Sequence, residues 1–335
     1  MMKIRSSSTI LIGFLAISAL AISSCTSKEA SISLEWKIWA NEQADLLVTH
    51  AENMLASSQS YCSDENNLSG LQQNFTQLLS HWAYTNGYPY KAIDEQALAF
   101  SLYFWPDKRN MTEVSLSRRA ESGSPITSEQ HSELVAAEKG IPAMEWLIFS
   151  DSLNKQQRCN ALVAVSEIYL GDINSLHSYH QTAPIVLDEW TEDVDILAGR
   201  SIALNLLYSQ VSRLESNLRQ SRHAETGLWI DYLAEGWRSE NTWAMYHSSV
   251  TSLHEKLSHT GNTSTINSAN KTRLDEYSSR TETILSAISN MRGHEQNPAL
   301  LDDLHALLTE LATFLEIDLA ENFSILIGFN NFDGD

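Results

Sequence analysis

Apolar residues recur every three or four positions along most of this chain, which is the spacing of one face of an α-helix. The clearest stripe lies within 301–323 and consists of Leu304, Leu307, Leu308, Leu311 and Leu315. The same spacing predicts further helices over 36–55, 68–84, 97–105, 140–149, 156–180, 196–222, 243–257 and 269–291. No run alternates apolar and polar residues as a half-buried strand does. We therefore predict an all-α protein made of two antiparallel helical bundles packed together.

A proline and a run of acidic residues interrupt this rhythm near the middle of the chain. Pro184 is followed by the acidic stretch 188–195, and both are typical of a break between helices. The predicted boundary near residue 186 divides the chain into an N-terminal bundle, 34–186, and a C-terminal bundle, 187–335.

Shorter polar segments predict loops within each bundle. Residues 109–125 and 261–271 are mostly polar and are predicted to be loops. The sequence Thr-Ser-Glu-Gln at 127–130 has the pattern of a capping box. It predicts a helix that carries Leu134, Val135 and Ala137.

The first 25 residues have the features of an export signal. Lys3 and Arg5 precede an apolar run, 10–22, that is too short to span a bilayer. The run ends at Ile-Ser-Ser-Cys, which resembles a bacterial lipobox with Cys25 as the residue that becomes lipidated; the alternative is an ordinary secretory signal with a chance cysteine. The resulting prediction is a signal peptide over 1–24 and a tether over 25–33. The membrane is then a partner through the lipid on Cys25, and the mature protein faces the periplasm.

The residue after the cysteine and the charge of the chain narrow the location and the partners. Thr26, rather than Asp, follows the cysteine, which favours the outer membrane.

The chain has 42 acidic and 22 basic residues and a net charge of −20. Nucleic acid is therefore excluded as an expected partner. The acidic surface either attracts cations and basic partners or only keeps the protein soluble.

Two cysteines remain once Cys25 carries lipid. Cys62 and Cys159 are expected to form a disulfide in the oxidising periplasm, which would join the end of the first helix to a later helix. Two buried free thiols are the alternative.

A carboxylate among large apolar residues is the main candidate for chemistry. Gly140 and Pro142 open a helix, and Glu145 lies one turn later beside Trp146 and Phe149. A buried carboxylate is unfavourable unless it is hydrogen-bonded or binds a cation. The alternative is a glutamate that the helix dipole favours near the helix start.

This segment resembles the imelysin family, also called imelysin-like peptidases, whose hallmark is Gly-x-His-x-x-Glu followed by an apolar helix. Gly140 and Glu145 occupy the ends of that hallmark, and the resemblance extends to the segments 105–109, 234–239 and 328–335. It implies two packed helical bundles and export, often as a lipoprotein, in an iron-uptake setting. Its implied cofactor is iron or another divalent cation, and its implied partners are iron-uptake or other envelope proteins.

The chain departs from the hallmark where the family has its histidine, because Pro142 stands there. Glu145 alone is a weak metal ligand, so a metal-dependent peptidase is disfavoured against a binding or accessory protein or an envelope scaffold. His177 and His180 are the only closely spaced histidine pair, and we interpret them as a solvated helix end.

The segments 105–109 and 235–239 each combine an aromatic ring, a guanidinium and a carboxylate near a helix break. Each could bind a ligand, or its charged groups could form an ion pair between helix ends. With the hallmark, they give a candidate ligand site in a cleft between the bundles. Its residues are Trp105, Asp107, Arg109, Gly140, Pro142, Glu145, Glu235, Trp237 and Arg238.

Overall fold

The structure is a computed structural model that describes residues 28–63, 67–85, 98–182, 196–223, 225–261, 266–292, 296–325 and 327. Within these residues the chain is helical and contains no strand; one isolated antiparallel bridge pairs Arg222 with Trp229. The predicted all-α class is confirmed. None of the described helices is both long enough and apolar enough to cross a membrane.

Six helices lie among the described residues of the N-terminal half. They are α1 (Lys28–Ser63), α2 (Leu68–Thr85), α3 (Ala99–Leu102), α4 (Met111–Ser122), α5 (Gly140–Phe149) and α6 (Lys155–Thr182). Helix α1 packs against α2 and α6, and α5 packs against α6. Their apolar faces form one core, which includes Leu47, Phe75, Met144, Trp146 and Tyr169.

The C-terminal half contains α7 (Ile196–Gln220), α8 (Thr242–Gly261), α9 (Ser268–Ile288), α10 (Pro298–Phe314) and, after a π-helical turn (Leu315–Leu319), α11 (Ala320–Phe323). A second core unites these helices and includes Leu207, Val250, Leu304, Leu311 and Phe314. The halves meet where α2 packs on α8 and α1 packs on α7. The boundary predicted near residue 186 lies outside the described residues.

The disulfide is confirmed. Cys62 at the end of α1 is bonded to Cys159 at the start of α6, with the two Cα atoms 5.7 Å apart. The bond therefore ties together two helices that also pack along their lengths.

Several predicted boundaries differ from the structure at the start of the chain and around α3. Helix α1 begins at Lys28, so residues 28–33, predicted to be tether, are helical. The signal peptide and Cys25 lie outside the described residues. The helix predicted over 97–105 is limited to the single turn of α3.

The loop predicted over 109–125 is wrong, because residues 111–122 form α4. Asp107 explains this helix: its carboxylate accepts hydrogen bonds from the backbone amides of Met111 at 2.6 Å and Thr112 at 2.9 Å. These amides have no partner within the helix, so the carboxylate stabilises the first turn. Few apolar residues mark this helix, and periodicity alone therefore missed it.

The helix predicted after the capping pattern is also wrong. The side chain of Gln130 does accept a hydrogen bond from the amide of Thr127, but only two 3₁₀ turns form, Ser128–Gln130 and Ala136–Glu138. Glu138 in the second turn is buried and pairs with Arg119 of α4 at 2.6 Å. Tertiary contacts thus hold this segment as turns.

Candidate functional site

The position of α5 depends on Gly140, its first residue. This glycine has a φ of +72°, and a Cβ atom at this position would lie 2.3 Å from the carbonyl oxygen of Leu102 and 2.5 Å from that of Ser101. Only glycine allows α5 to begin this close to the backbone of α3. Pro142 is buried in the first turn, where its missing amide hydrogen leaves no helical bond unmade.

Glu145 lies in the middle of α5 and connects the two halves of the molecule. Its side chain is buried, and one carboxylate oxygen accepts hydrogen bonds from the hydroxyl of Ser239 at 2.7 Å and from the amide of Ser239 at 3.0 Å. Ser239 belongs to the loop before α8, in the C-terminal half. Burial raises the pKa of Glu145, and the Ser239 bonds and the Arg238 charge oppose that rise.

A second carboxylate lies close to Glu145. Glu235, on the same loop as Ser239, accepts a hydrogen bond from the side-chain Nδ2 atom of Asn217 at 2.9 Å. Burial, and to a smaller extent the nearby Glu145 carboxylate, raise the pKa of Glu235 to about 7 against the lowering effect of Arg213. The same two carboxylates, after burial, raise the pKa of the Tyr103 hydroxyl. The junction of the halves therefore contains an acidic pair that binds protons more tightly than free glutamates do.

A cleft of about 560 Å³ lies between the two halves, and neither Glu145 nor Glu235 lines it. One wall is formed by residues 105–108, between α3 and α4, and the other by the end of α7 and the turn that follows it. The second wall contributes Arg219, Gln220, Arg222, Tyr232 and Leu233. The volume is within the range of small-molecule sites, about 300 to 1,000 Å³.

The structure brings some of the predicted site residues to this cleft and places others elsewhere. Trp105 and Asp107 line the cleft. Both oxygens of Asp107 already accept bonds from α4, so this residue caps a helix. Arg109 is exposed and has no hydrogen bond or ion pair among the described residues.

The second predicted segment links the halves. The Arg238 guanidinium lies over the ring of Trp237, 4.6 Å from its centroid, and donates a hydrogen bond to the Asn110 side chain at 2.5 Å. Asn110 immediately precedes α4, so Arg238 reaches from the C-terminal half to the N-terminal half. The partner of Arg238 in this bond is therefore a neutral side chain, and the bond is not the ion pair between helix ends that was the alternative for this segment.

The donor atoms around Glu145 do not fit the metal that the family hallmark implies. Pro142 has no side-chain donor, and the Glu145 carboxylate is already hydrogen-bonded to Ser239. Over the described part of the chain, no group of three or more His, Cys, Asp or Glu side chains is arranged to hold an ion. His177 pairs instead with Asp45 of α1 at 2.6 Å, and the terminal acids at 333–335 lie outside the described residues.

Sequence reasoning missed the residues that complete this junction. Ser239, Asn217 and Tyr103 are common residue types without a distinctive spacing, and Ser239 is 94 positions from its partner Glu145. In the sequence, only the glycine at 236 marked this loop. The structure explains that glycine, because Gly236 has a φ of +71° and a Cβ atom there would be 2.9 Å from the Met245 sulfur.

Comparison with known proteins places the chain in a family. The imelysin family model matches residues 40–314. A crystal structure of an imelysin-like protein from Psychrobacter arcticum 273-4 is similar, with a TM-score of 0.76 and 15% sequence identity over 90% of this chain and 98% of that chain. No curated protein sequence matches the chain. The family match covers most of the chain and the fold agrees with it, so the chain belongs to the imelysin family.

Proposed function

We propose that this chain is a lipid-anchored binding or accessory protein that faces the periplasm, takes part in iron acquisition, and holds a ligand in the cleft between its halves. The observation that carries the proposal is the cleft itself, because both halves supply its walls. Sites between packed units are the usual location for small ligands. The lipobox pattern supports the anchor, and the family resemblance supports the iron setting.

Two properties of the cleft support a binding role. Trp105 and the exposed Tyr232 offer flat apolar surfaces, and Lys108 and Arg219 offer exposed cationic groups at its rim. Arg222 is held in place by an ion pair with Asp302 at 2.8 Å. Such a mixture of rings and fixed polar groups is typical of sites that orient an organic ligand.

The family model carries the label of a peptidase, but we do not propose peptidase activity. The hallmark histidine is replaced by Pro142, and the carboxylate of Glu145 already binds Ser239. Helix α5 therefore lacks the pair of side chains that would hold a metal ion and its bound water.

Ligand binding is tested on protein purified from its own envelope. Native mass spectrometry of the wild-type protein is expected to show a bound small molecule that is lost from Trp105→Ala. Phe100→Ala is the matched control, since Phe100 is an exposed aromatic residue that does not line the cleft. A bound molecule that survives in Trp105→Ala, or is lost equally in Phe100→Ala, would contradict the cleft as the site.

The iron setting and the anchor are tested in cells. A deletion strain is expected to grow more slowly than its parent only when iron is limiting, and the wild-type gene is expected to restore growth. Cys25→Ser is expected to lose incorporation of labelled palmitate and to restore growth poorly. Equal growth of deletion and parent under iron limitation would contradict the role in iron acquisition, and labelling of Cys25→Ser would contradict the anchor.

A further inference from the structure

Two histidines meet between α1 and α2, away from the cleft. His50 is on α1 and His81 is on α2, and their ring centroids lie 4.9 Å apart with the ring planes at 42°. Their separation in sequence gives no metal-binding spacing, unlike that of His177 and His180. Only the packing of α1 on α2 creates this pair.

The hydrogen bonding of His81 fixes which ring nitrogen is available. Its Nε2 atom lies 3.0 Å from the backbone carbonyl oxygen of Gln43. A carbonyl oxygen only accepts, so Nε2 carries the hydrogen and Nδ1 keeps a lone pair. A histidine oriented by a backbone carbonyl through one nitrogen, with the other free to coordinate, has the arrangement usual among metal ligands.

His50 has an unmet bonding requirement. Its Nδ1 atom is buried and has no hydrogen-bond partner among the described residues. Leaving a buried polar atom unpaired is unfavourable, which favours a partner from outside the chain. Burial also lowers the pKa of both histidines, and the proximity of His50 lowers that of His81 further. Both rings are therefore neutral at neutral pH, the form that binds metals.

We propose that His50 and His81 form a two-histidine site for a divalent late transition-metal ion, with water completing its coordination. Imidazole nitrogens bind such ions at about 2.0 to 2.1 Å, which places the centroids of two rings on one ion about 5 Å apart. The observed separation of 4.9 Å agrees with this. Two imidazoles favour Cu²⁺ over Ni²⁺ and Zn²⁺, and they are poor ligands for Mg²⁺ or Ca²⁺.

The residues around His50 and His81 determine how many protein ligands a bound ion has. Tyr84 stacks on His81 with centroids 6.3 Å apart, and its hydroxyl donates a hydrogen bond to Glu255 of α8. No third His, Cys, Asp or Glu completes a metal cluster within the described residues. The site is thus expected to bind by two nitrogens and to exchange its remaining ligands with solvent.

The experiment titrates the full-length, processed protein with Cu²⁺ by calorimetry and records the electron paramagnetic resonance spectrum of the copper-loaded form. The variants are His50→Gln and His81→Gln; glutamine at 81 retains an amide that can donate to the Gln43 carbonyl. His177→Gln is the matched control, because it removes a histidine that is not part of the proposed site and belongs to the pair that is closely spaced in sequence. We expect one Cu²⁺ per chain with coupling to two nitrogens, an affinity at least tenfold lower in each test variant, and no change in the control.

Several outcomes would overturn the site. A wild-type spectrum with no coupling, or with coupling to one nitrogen, excludes a two-histidine ion without the use of any variant. Equal affinity in His50→Gln and wild type, or an equal loss in His177→Gln, assigns the copper elsewhere. Circular dichroism of each variant identifies loss of binding that follows from unfolding, and in that case the wild-type spectrum decides.

Discussion

At the scale of single residues, Gly140 has a structural requirement that Gly171 does not share. A Cβ atom at Gly140 would overlap the backbone of α3, and the positive φ adds strain. Gly171 is exposed within α6, and apart from the adjacent backbone of its own helix no heavy atom lies within 4 Å of its Cβ position. Gly140→Ala is expected to lower the free energy of unfolding by about 2 to 4 kcal/mol. Gly171→Ala is expected to raise it by about 0.5 to 1 kcal/mol.

Urea denaturation of both variants measures this difference. If Gly140→Ala were as stable as the wild-type protein, α5 would not depend on close approach to α3. The sequence predicted the start of this helix from the Gly-x-Pro pattern. It could not predict the reason for the glycine, because Leu102 is brought close only by the fold.

Glu235 predicts a pH dependence of stability. Its pKa is about 7 in the folded protein and about 4.3 in an unfolded chain. Between these values the folded state binds more protons, so stability falls as the pH rises from about 4.3 to 7 and the loss is complete above 7. Glu235→Gln cannot ionise and retains an acceptor for Asn217. It is expected to be more stable relative to wild type at pH 8 than at pH 5, by about 1 to 3 kcal/mol.

Thermal or urea unfolding at the two pH values tests this, with Glu121→Gln as the control for an exposed glutamate. The control is expected to change by the same small amount at both values. A stability difference between Glu235→Gln and wild type that stays constant with pH would show that Glu235 titrates normally.

At the scale of helices, the disulfide joins two elements that already pack together. The bond closes a segment of 97 residues. In the chain-entropy account, such a loop stabilises the folded state by about 4.7 kcal/mol, because it restricts the unfolded chain. The double variant Cys62→Ala and Cys159→Ala is expected to lose about this much stability, as is the wild-type protein after reduction. A loss below 1 kcal/mol in both samples would show that contacts between the segments of α1 and α6 already restrict the unfolded chain when the bond is absent.

Helices were predicted correctly where the signal lies within the helix itself, and incorrectly where residues distant in the sequence determine whether a helix forms. Leu68–Thr85 and Gly140–Phe149 agree closely with the predicted ranges, because their apolar stripes lie within one helix. Helix α4 was missed since its first turn depends on Asp107, and the helix predicted after Thr127 does not form because Glu138 pairs with α4. The candidate site follows the same rule: Glu145 was found from its apolar neighbours, and its partner Ser239 was not.

At the scale of the whole molecule, the halves are joined by packing and by a few specific bonds. The Ser249 hydroxyl on α8 donates to the Ala83 carbonyl on α2 at 2.9 Å, and Asn241 donates to Thr76 at 3.1 Å. The Glu145–Ser239 bond adds a buried carboxylate of the N-terminal half as an acceptor. Two of these bonds reach α2 and the third reaches α5, so we expect the halves to unfold together.

The contribution of the Glu145–Ser239 bond is measured by a double-mutant cycle with Glu145→Ala and Ser239→Ala at pH 8. A hydrogen bond to a buried charged group contributes about 1.5 to 3 kcal/mol, and the coupling energy is expected to fall in this range. Ser150 and Ser152 form the matched control, because their hydroxyls are also 2.7 Å apart but exposed on one half. That pair is expected to couple by less than about 0.5 kcal/mol, since water replaces an exposed bond readily. A coupling between Glu145 and Ser239 as small as in the control would show that packing alone joins the halves. A second unfolding transition in the single variants would show that this bond is what makes them unfold as one unit.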